Sequence, residues 1–191
     1  DGASGRNAGQ VQPYFGKFGE MKAWPDGGQR FVDYYLHHRN IIFELCARHG
    51  IDADAAPCGL VAAAYREYAS MTQNAAHWRA LGYQVETIGA GRLRELLGTE
   101  RYAFGVHWQD GGRVNPHMFT NGMVAVAARH GAQVFGDSPV EACERVGRRW
   151  KLRSAQGSVT AQKVVVCTNG HFGNAFFPEL ARTSYPLLAC G

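Results

Sequence analysis

No two cysteines of this chain have the C-x-x-C spacing of a zinc knuckle, and its eight histidines never fall at H-x-x-x-H spacing, so the common zinc signatures are excluded. His37 and His38 are adjacent on an expected helix, where neighbouring side chains diverge by about 100° and do not share a metal. The five cysteines, Cys46, Cys58, Cys143, Cys167 and Cys190, are odd in number and widely spaced among mostly apolar neighbours. That is the usage of reduced core thiols and of a cytoplasmic protein, not of a disulfide framework. Apolar runs never reach the roughly 20 residues that span a bilayer, and the amino end has no signal-peptide pattern. Charge is scarce as well: 19% of residues, 20 basic against 16 acidic, net +4. The arginines form no basic run, which argues against a nucleic-acid partner. Their densest group, Arg148, Arg149, Lys151 and Arg153, alternates with Trp150 and Leu152 and reads as the solvated face of a strand. Internal repeats and low-complexity tracts are also lacking.

What the chain does hold is a real core and one unusual loop. At 191 residues, 46% hydrophobic and 12% aromatic, it is long and apolar enough for a globular domain, or one and a half. The first ten residues pack Gly2, Gly5, Gly9, Ser4, Arg6, Asn7 and Gln10 together. Glycines let backbone N–H groups converge on an anion, Ser4 adds a hydroxyl, and Arg6 adds a cationic fork. Composition alone also fits a flexible glycine-rich terminus. The amino end lacks an initiator methionine and lies within this loop, and the other end follows Leu187, Leu188 and Ala189, so the chain reads as an internal fragment.

Periodicity predicts mixed α and β structure. Residues 11–24 read as irregular. One long helix is expected over 29–49, stopped by Gly50, then a buried strand at 59–64, a helix over 66–81 and a strand at 83–87. A short helix follows at 90–97, then a strand at 102–108 ending in Asp110-Gly111-Gly112. Asn115 as N-cap and Pro116 in the first turn mark a helix that runs to Gly131. Strands are expected at 132–135, 140–146, 149–154, 158–160 and 163–168, the last four as a meander. The last, Val164-Val165-Val166-Cys167, has the unbroken apolar character of a strand buried on both faces, and it empties into Thr168-Asn169-Gly170, where open α/β sheets place ligands.

Four segments carry a family likeness: Gly2 to Gln10; Gly112-Arg113-Val114-Asn115-Pro116 with the helix and Gly131-Ala132 after it; Ser138-Pro139-Val140; and Lys163 to Asn174 followed by Phe177-Pro178-Glu179-Leu180. Together they resemble the FAD-dependent oxidoreductases of the D-amino-acid oxidase and glycine oxidase superfamily, and within it the γ-glutamylputrescine oxidase-type amine oxidases. The resemblance implies a partial Rossmann-like FAD-binding domain from 1–30 and 113–175, interleaved with part of an antiparallel or mixed substrate-domain sheet and its helices from 31–112 and 176–191. It implies that Ala3, Ser4, Gly5, Arg6, Asn7, Gly9 and Gln10 follow the FAD pyrophosphate towards the flavin ring. Val140 is expected on the adenine side, and Thr168, Asn169 and Gly170 close to the dinucleotide. No residue of the opening loop offers itself for a covalent flavin bond, so FAD is expected to be non-covalent. The superfamily's strand, G-x-G-x-x-G turn and helix are missing from this chain, which is therefore expected neither to bind FAD tightly nor to turn over by itself.

The implied reaction is hydride transfer from the carbon beside a substrate amine or amino-acid nitrogen to the flavin, with dioxygen or another acceptor reoxidising it. Arg6 or Gln10 is expected to favour the reduced ring. No catalytic base is assigned: His107, His117 and His171 are candidates by type only. Trp24, Trp78 and Trp108 suit an amine pocket but suit core packing better. Two other readings stay open: a truncated, non-catalytic remnant acting as an interaction module, and a dehydrogenase that passes electrons to a partner.

Overall fold

The structure, a computed structural model, describes residues 2–14, 21, 23–169 and 182. They divide into two compact units, 1–132 and 133–191.

The first unit is built round a three-stranded antiparallel sheet. Its strands are β2 (Leu60–Ala64), β3 (Val85–Gly89) and β4 (Phe104–Trp108), in the order β2-β4-β3. Register pairs Leu60 and Val85 with Trp108, Ala62 and Thr87 with Val106, and Val61 and Glu86 with His107. Strand side chains alternate faces, so Val106 and Trp108 point one way and Gly105 and His107 the other. On the first face the helix α3 (Ala69–Ala80) contributes Ala75 and Trp78 to a core with Tyr83, Val85, Val106 and Trp108, against which Tyr14, Tyr35 and Leu36 pack. Tyr14 stacks on Trp108 with ring centroids 4.5 Å apart. The helix α4 (Ala90–Leu97) covers part of the second face, where its Leu93 is fully buried and reaches Gly105.

The expected long helix is two. The helices α1 (Gln29–His38) and α2 (Ile41–His49) are separated at Arg39 and Asn40, and the cause is tertiary. Arg39 turns to Asp110, with Nε 2.9 Å from Oδ2, while Asn40 leaves helical geometry at φ −107°, ψ 11°. The apolar period continues across the break, which is why the sequence does not announce it. A short ribbon joins β1 (Gln10–Val11) to β5 (Gly112–Arg113), with Ala56 bridged to Arg113 on the other side. Both strands are too short to show a period. The helix α5 (Pro116–Arg129) then starts as expected: the Asn115 side chain accepts from the Met118 N–H at 3.1 Å.

The second unit is a meander of β6 (Ala142–Val146), β7 (Arg149–Ser154) and β8 (Gly157–Ala161), antiparallel in sequence order. Arg149, Lys151 and Arg153 are exposed and Trp150 and Leu152 half-buried, so the solvated-face reading holds. Two expected strands do not form. Residues 132–135 and 163–168 join no sheet among the described residues, and Val134, Phe135 and Val165 are 56%, 65% and 83% exposed. An extended apolar run is a strand only when another strand supplies its hydrogen bonds. Burial of the cysteines also departs from expectation. The four described ones are free, but Cys58 and Cys167 are exposed and only Cys46 is buried.

Candidate functional site

The opening loop begins with a single turn of 3-10 helix at Ala3–Gly5, closed by the Gly5 N–H to Gly2 carbonyl bond of 3.2 Å and the Arg6 N–H to Ala3 carbonyl bond of 3.1 Å. Asn7 holds the rest. Its Nδ2 donates to the Ala3 and Ser4 carbonyls at 3.2 and 3.0 Å, and its Oδ1 accepts the Gly9 N–H at 2.8 Å. Gly9 then has φ +70°, and an added Cβ would lie 2.0 Å from the Val114 carbonyl oxygen. Only glycine allows that approach, by which the Val114 N–H reaches the Gly9 carbonyl at 2.9 Å. The loop is thus tied to the lead-in of α5. One turn further on, Thr120 Oγ1 donates to the Ser4 carbonyl at 3.3 Å, and His117 lies beside Gly5.

This arrangement has a chemical direction. The electronegative ends of the Ala3 and Ser4 peptides are engaged by Asn7 and Thr120, while Ala3, Ser4, Arg6, Asn7 and Gln10 remain exposed. Hydroxyl, guanidinium and the amino end of α5 all favour negative charge there. The donor set therefore fits a phosphate-bearing cofactor. Asn7 serves it as the brace of the loop, its amide being spent on backbone. Gln10 sits opposite Arg113 in the ribbon, and Arg113 is paired with Asp54, whose carboxylate raises the guanidinium pKa.

In the second unit Val140 is exposed just before β6, where the Glu141 N–H bonds the Arg153 carbonyl at 2.8 Å. Thr168 and Asn169 are exposed, with Asn169 at φ +51°, and Gly170 lies outside the described residues, as does His171. The structure therefore gathers Ala3 to Gln10 on the start of α5, and holds Val140, Thr168 and Asn169 in the other unit. Trp78 and Trp108 are core residues, 3% and 6% exposed, and not pocket lining.

Sequence reasoning missed several polar features. An open cleft of about 420 Å³ runs between the end of α2 and α5, lined by His49, Asp52, His117, Asn121 and Arg129 among others. Under Asp110 lies a polar cluster in which Asn40 Nδ2 donates to Asp110 Oδ1 at 3.4 Å, and Arg39 Nε approaches Oδ2 without the alignment of a hydrogen bond. Tyr83, 2% exposed, is in the same cluster, and burial pushes its hydroxyl pKa up to about 12. On the second face of the sheet, His107 Nδ1 lies 3.2 Å from Glu86 Oε1. Only pairing register, unreadable before the strands are placed, could have joined these last two.

Comparison with known proteins finds relatives by sequence and by fold. The family model described as FAD dependent oxidoreductase (DAO) matches residues 1–189. The chain is 29% identical over 195 residues to the γ-glutamylputrescine oxidoreductase of Escherichia coli K12, covering 100% of this chain and 45% of that protein. It is 25% identical over 182 residues to the probable oxidoreductase OrdL of Rhizobium meliloti, covering 91% and 42%. Among solved structures, glycine oxidase from Geobacillus kaustophilus superposes with a TM-score of 0.70 at 22% identity, over 88% of this chain and 46% of that one. L-proline dehydrogenase from P. horikoshii gives 0.68 at 15%, over 88% and 43%. The chain spans less than half the length of the curated relatives it matches.

Proposed function

The chain belongs to the DAO family of FAD-dependent oxidoreductases, and from that membership we propose that the protein carrying it oxidises the C–N bond of an amine or amino acid. A substrate of the γ-glutamylputrescine type is favoured by the likeness to the Escherichia coli enzyme. When bound, FAD supplies the hydride acceptor for the carbon beside the substrate nitrogen, and dioxygen or another acceptor takes the electrons on.

The chain's own part is to hold that cofactor. Ser4 and Arg6 bind phosphate oxygen from the exposed side of the loop, with Ala3, Gly5 and Gly9 giving backbone approach and Asn7 fixing its shape. Gln10, next along the chain, lies towards the ring. Val140 meets the adenine side, and Thr168, Asn169 and Gly170 border the dinucleotide. On this reading 1–30 and 113–175 belong to the FAD-binding domain and 31–112 and 176–191 to the helical and substrate portions. No cysteine or histidine lies between residues 1 and 36, which supports a non-covalent flavin. The free thiols Cys46, Cys58, Cys143 and Cys167 support a reducing compartment, the cytoplasm.

The observation that carries the proposal is the Asn7 brace, which engages the carbonyls of Ala3 and Ser4 in a loop whose Ser4 and Arg6 are exposed. Arg6→Ala in the whole protein tests it. Loss of one charge-assisted contact, about 1.5–3 kcal/mol, weakens FAD binding by roughly tenfold to a hundredfold, read from the flavin content of purified protein. Undiminished flavin content would place the loop elsewhere.

A further inference from the structure

We propose that Glu86 and His107 form the proton-accepting site for the substrate's ammonium group, a role that rests on the amine-oxidising function proposed above. The dyad stands on the face of the sheet turned away from the α3 core. His107 is in the central strand, with Val61 and Glu86 directly beside it on the two flanking strands. The α4 helix covers this face at Gly105, one pair further along. His107's side chain keeps 14% exposure and Glu86's 53%, so the pair is reachable from solvent while its histidine is largely enclosed.

The polarity of the pair is set by chemistry. An ionised carboxylate only accepts hydrogen bonds, so the 3.2 Å contact requires the proton on Nδ1. In the neutral ring that leaves Nε2 bare, an acceptor aimed away from Glu86. Nε2 points at Gly59, where an added Cβ would lie 3.2 Å from it. Gly59, at φ +76°, keeps that side of the ring clear of a side chain. Gly59 in turn binds the Gly111 carbonyl at 3.2 Å, and Gly111 packs on the Val11 carbonyl in the strand that leaves the opening loop. His107's approach to Gly59, the Gly59–Gly111 hydrogen bond and the approach of Gly111 to Val11 thus run from the dyad to the strand that leaves the opening loop, all within one unit.

A base is needed because a protonated amine has no lone pair to assist hydride departure from the neighbouring carbon. The step balances simply: R–NH3+ gives its proton to His107 Nε2, leaving R–NH2 and an imidazolium. The Glu86 carboxylate compensates that new positive charge. Neither residue takes electrons, and the hydride acceptor is the one named for the reaction.

Two measurements on the whole protein test the assignment. The first is the rate of flavin bleaching on anaerobic mixing with an alkylamine substrate, in wild type, His107→Asn and Glu86→Gln. We expect His107→Asn to slow bleaching about 10²-fold or more at saturating amine, and Glu86→Gln about tenfold through lost charge compensation, with FAD content unchanged in both. The second is a titration with tert-butylammonium, which has no hydrogen on the carbon beside nitrogen and cannot be oxidised. The ¹⁵N resonance of His107 Nε2 should move on binding. Normal bleaching in His107→Asn with no shift of Nε2 would overturn the dyad and leave the amine oxidase standing. A shift of Nε2 in a protein whose flavin no amine bleaches would do the reverse. Because Glu86 is exposed, Glu86→Gln keeps the test readable if His107→Asn fails to fold.

Discussion

Asn7 shows how one exposed side chain shapes the site by bonding the loop's own backbone. Its amide makes three hydrogen bonds to the loop backbone, each contributing about 0.5–1.5 kcal/mol. Asn7→Ala is expected to raise the FAD dissociation constant by roughly tenfold or more and to speed proteolysis within residues 2–9, both measurable on the apo protein. Asp110 is the corresponding residue for the fold. Its ion pair with Arg39, 14% and 30% exposed, is mostly out of water, and removing one partner strands the other. Asp110→Ala should lower the unfolding free energy by about 2–4 kcal/mol in urea titration, somewhat less than the roughly 3–5 kcal/mol of a fully buried pair because Arg39 is partly exposed. Tyr83 gives a pH dependence. Its folded pKa of about 12 lies above the unfolded 10.0, so its contribution is complete below pH 10 and is lost as pH rises from 10 towards 12. In Tyr83→Phe that part of the alkaline destabilisation should be absent.

Among the elements, those with a local cause were legible in the sequence. The α4 helix spans the expected residues 90–97 and α5 begins at its Asn115 cap, because propensity, capping and stop residues act within a few positions. Asn115→Ala should cost about 1 kcal/mol, seen as a lower thermal midpoint. Failures came where distant residues decide. The helix break at Arg39 and Asn40 depends on Asp110, some 70 positions away. The β1–β5 ribbon depends on Gly9 and Gly111 admitting backbone. Residues 132–135 and 163–168 have strand-like composition but no sheet partner among the described residues. Cys58 shows the same limit, since apolar neighbours in sequence did not bury it.

Over the whole molecule, family membership was readable from the opening loop and the Arg113 to Pro116 segment, because their glycines, polar residues and cap–proline pair stand at particular positions. The site's polar dyad was not, since Glu86 and His107 are 21 residues apart and meet only through strand register. Seen together, the first unit offers a braced glycine loop, a helix start beside it and, on the second face of the three-stranded sheet, a histidine 3.2 Å from a carboxylate. The account stands on the first of these. The most direct test is hydrogen–deuterium exchange of the whole apo protein with and without FAD. Binding in the opening loop predicts slower exchange of the amides of residues 3–9 on adding FAD, relative to the β6–β8 turns. Saturating FAD that leaves those amides unchanged would contradict it.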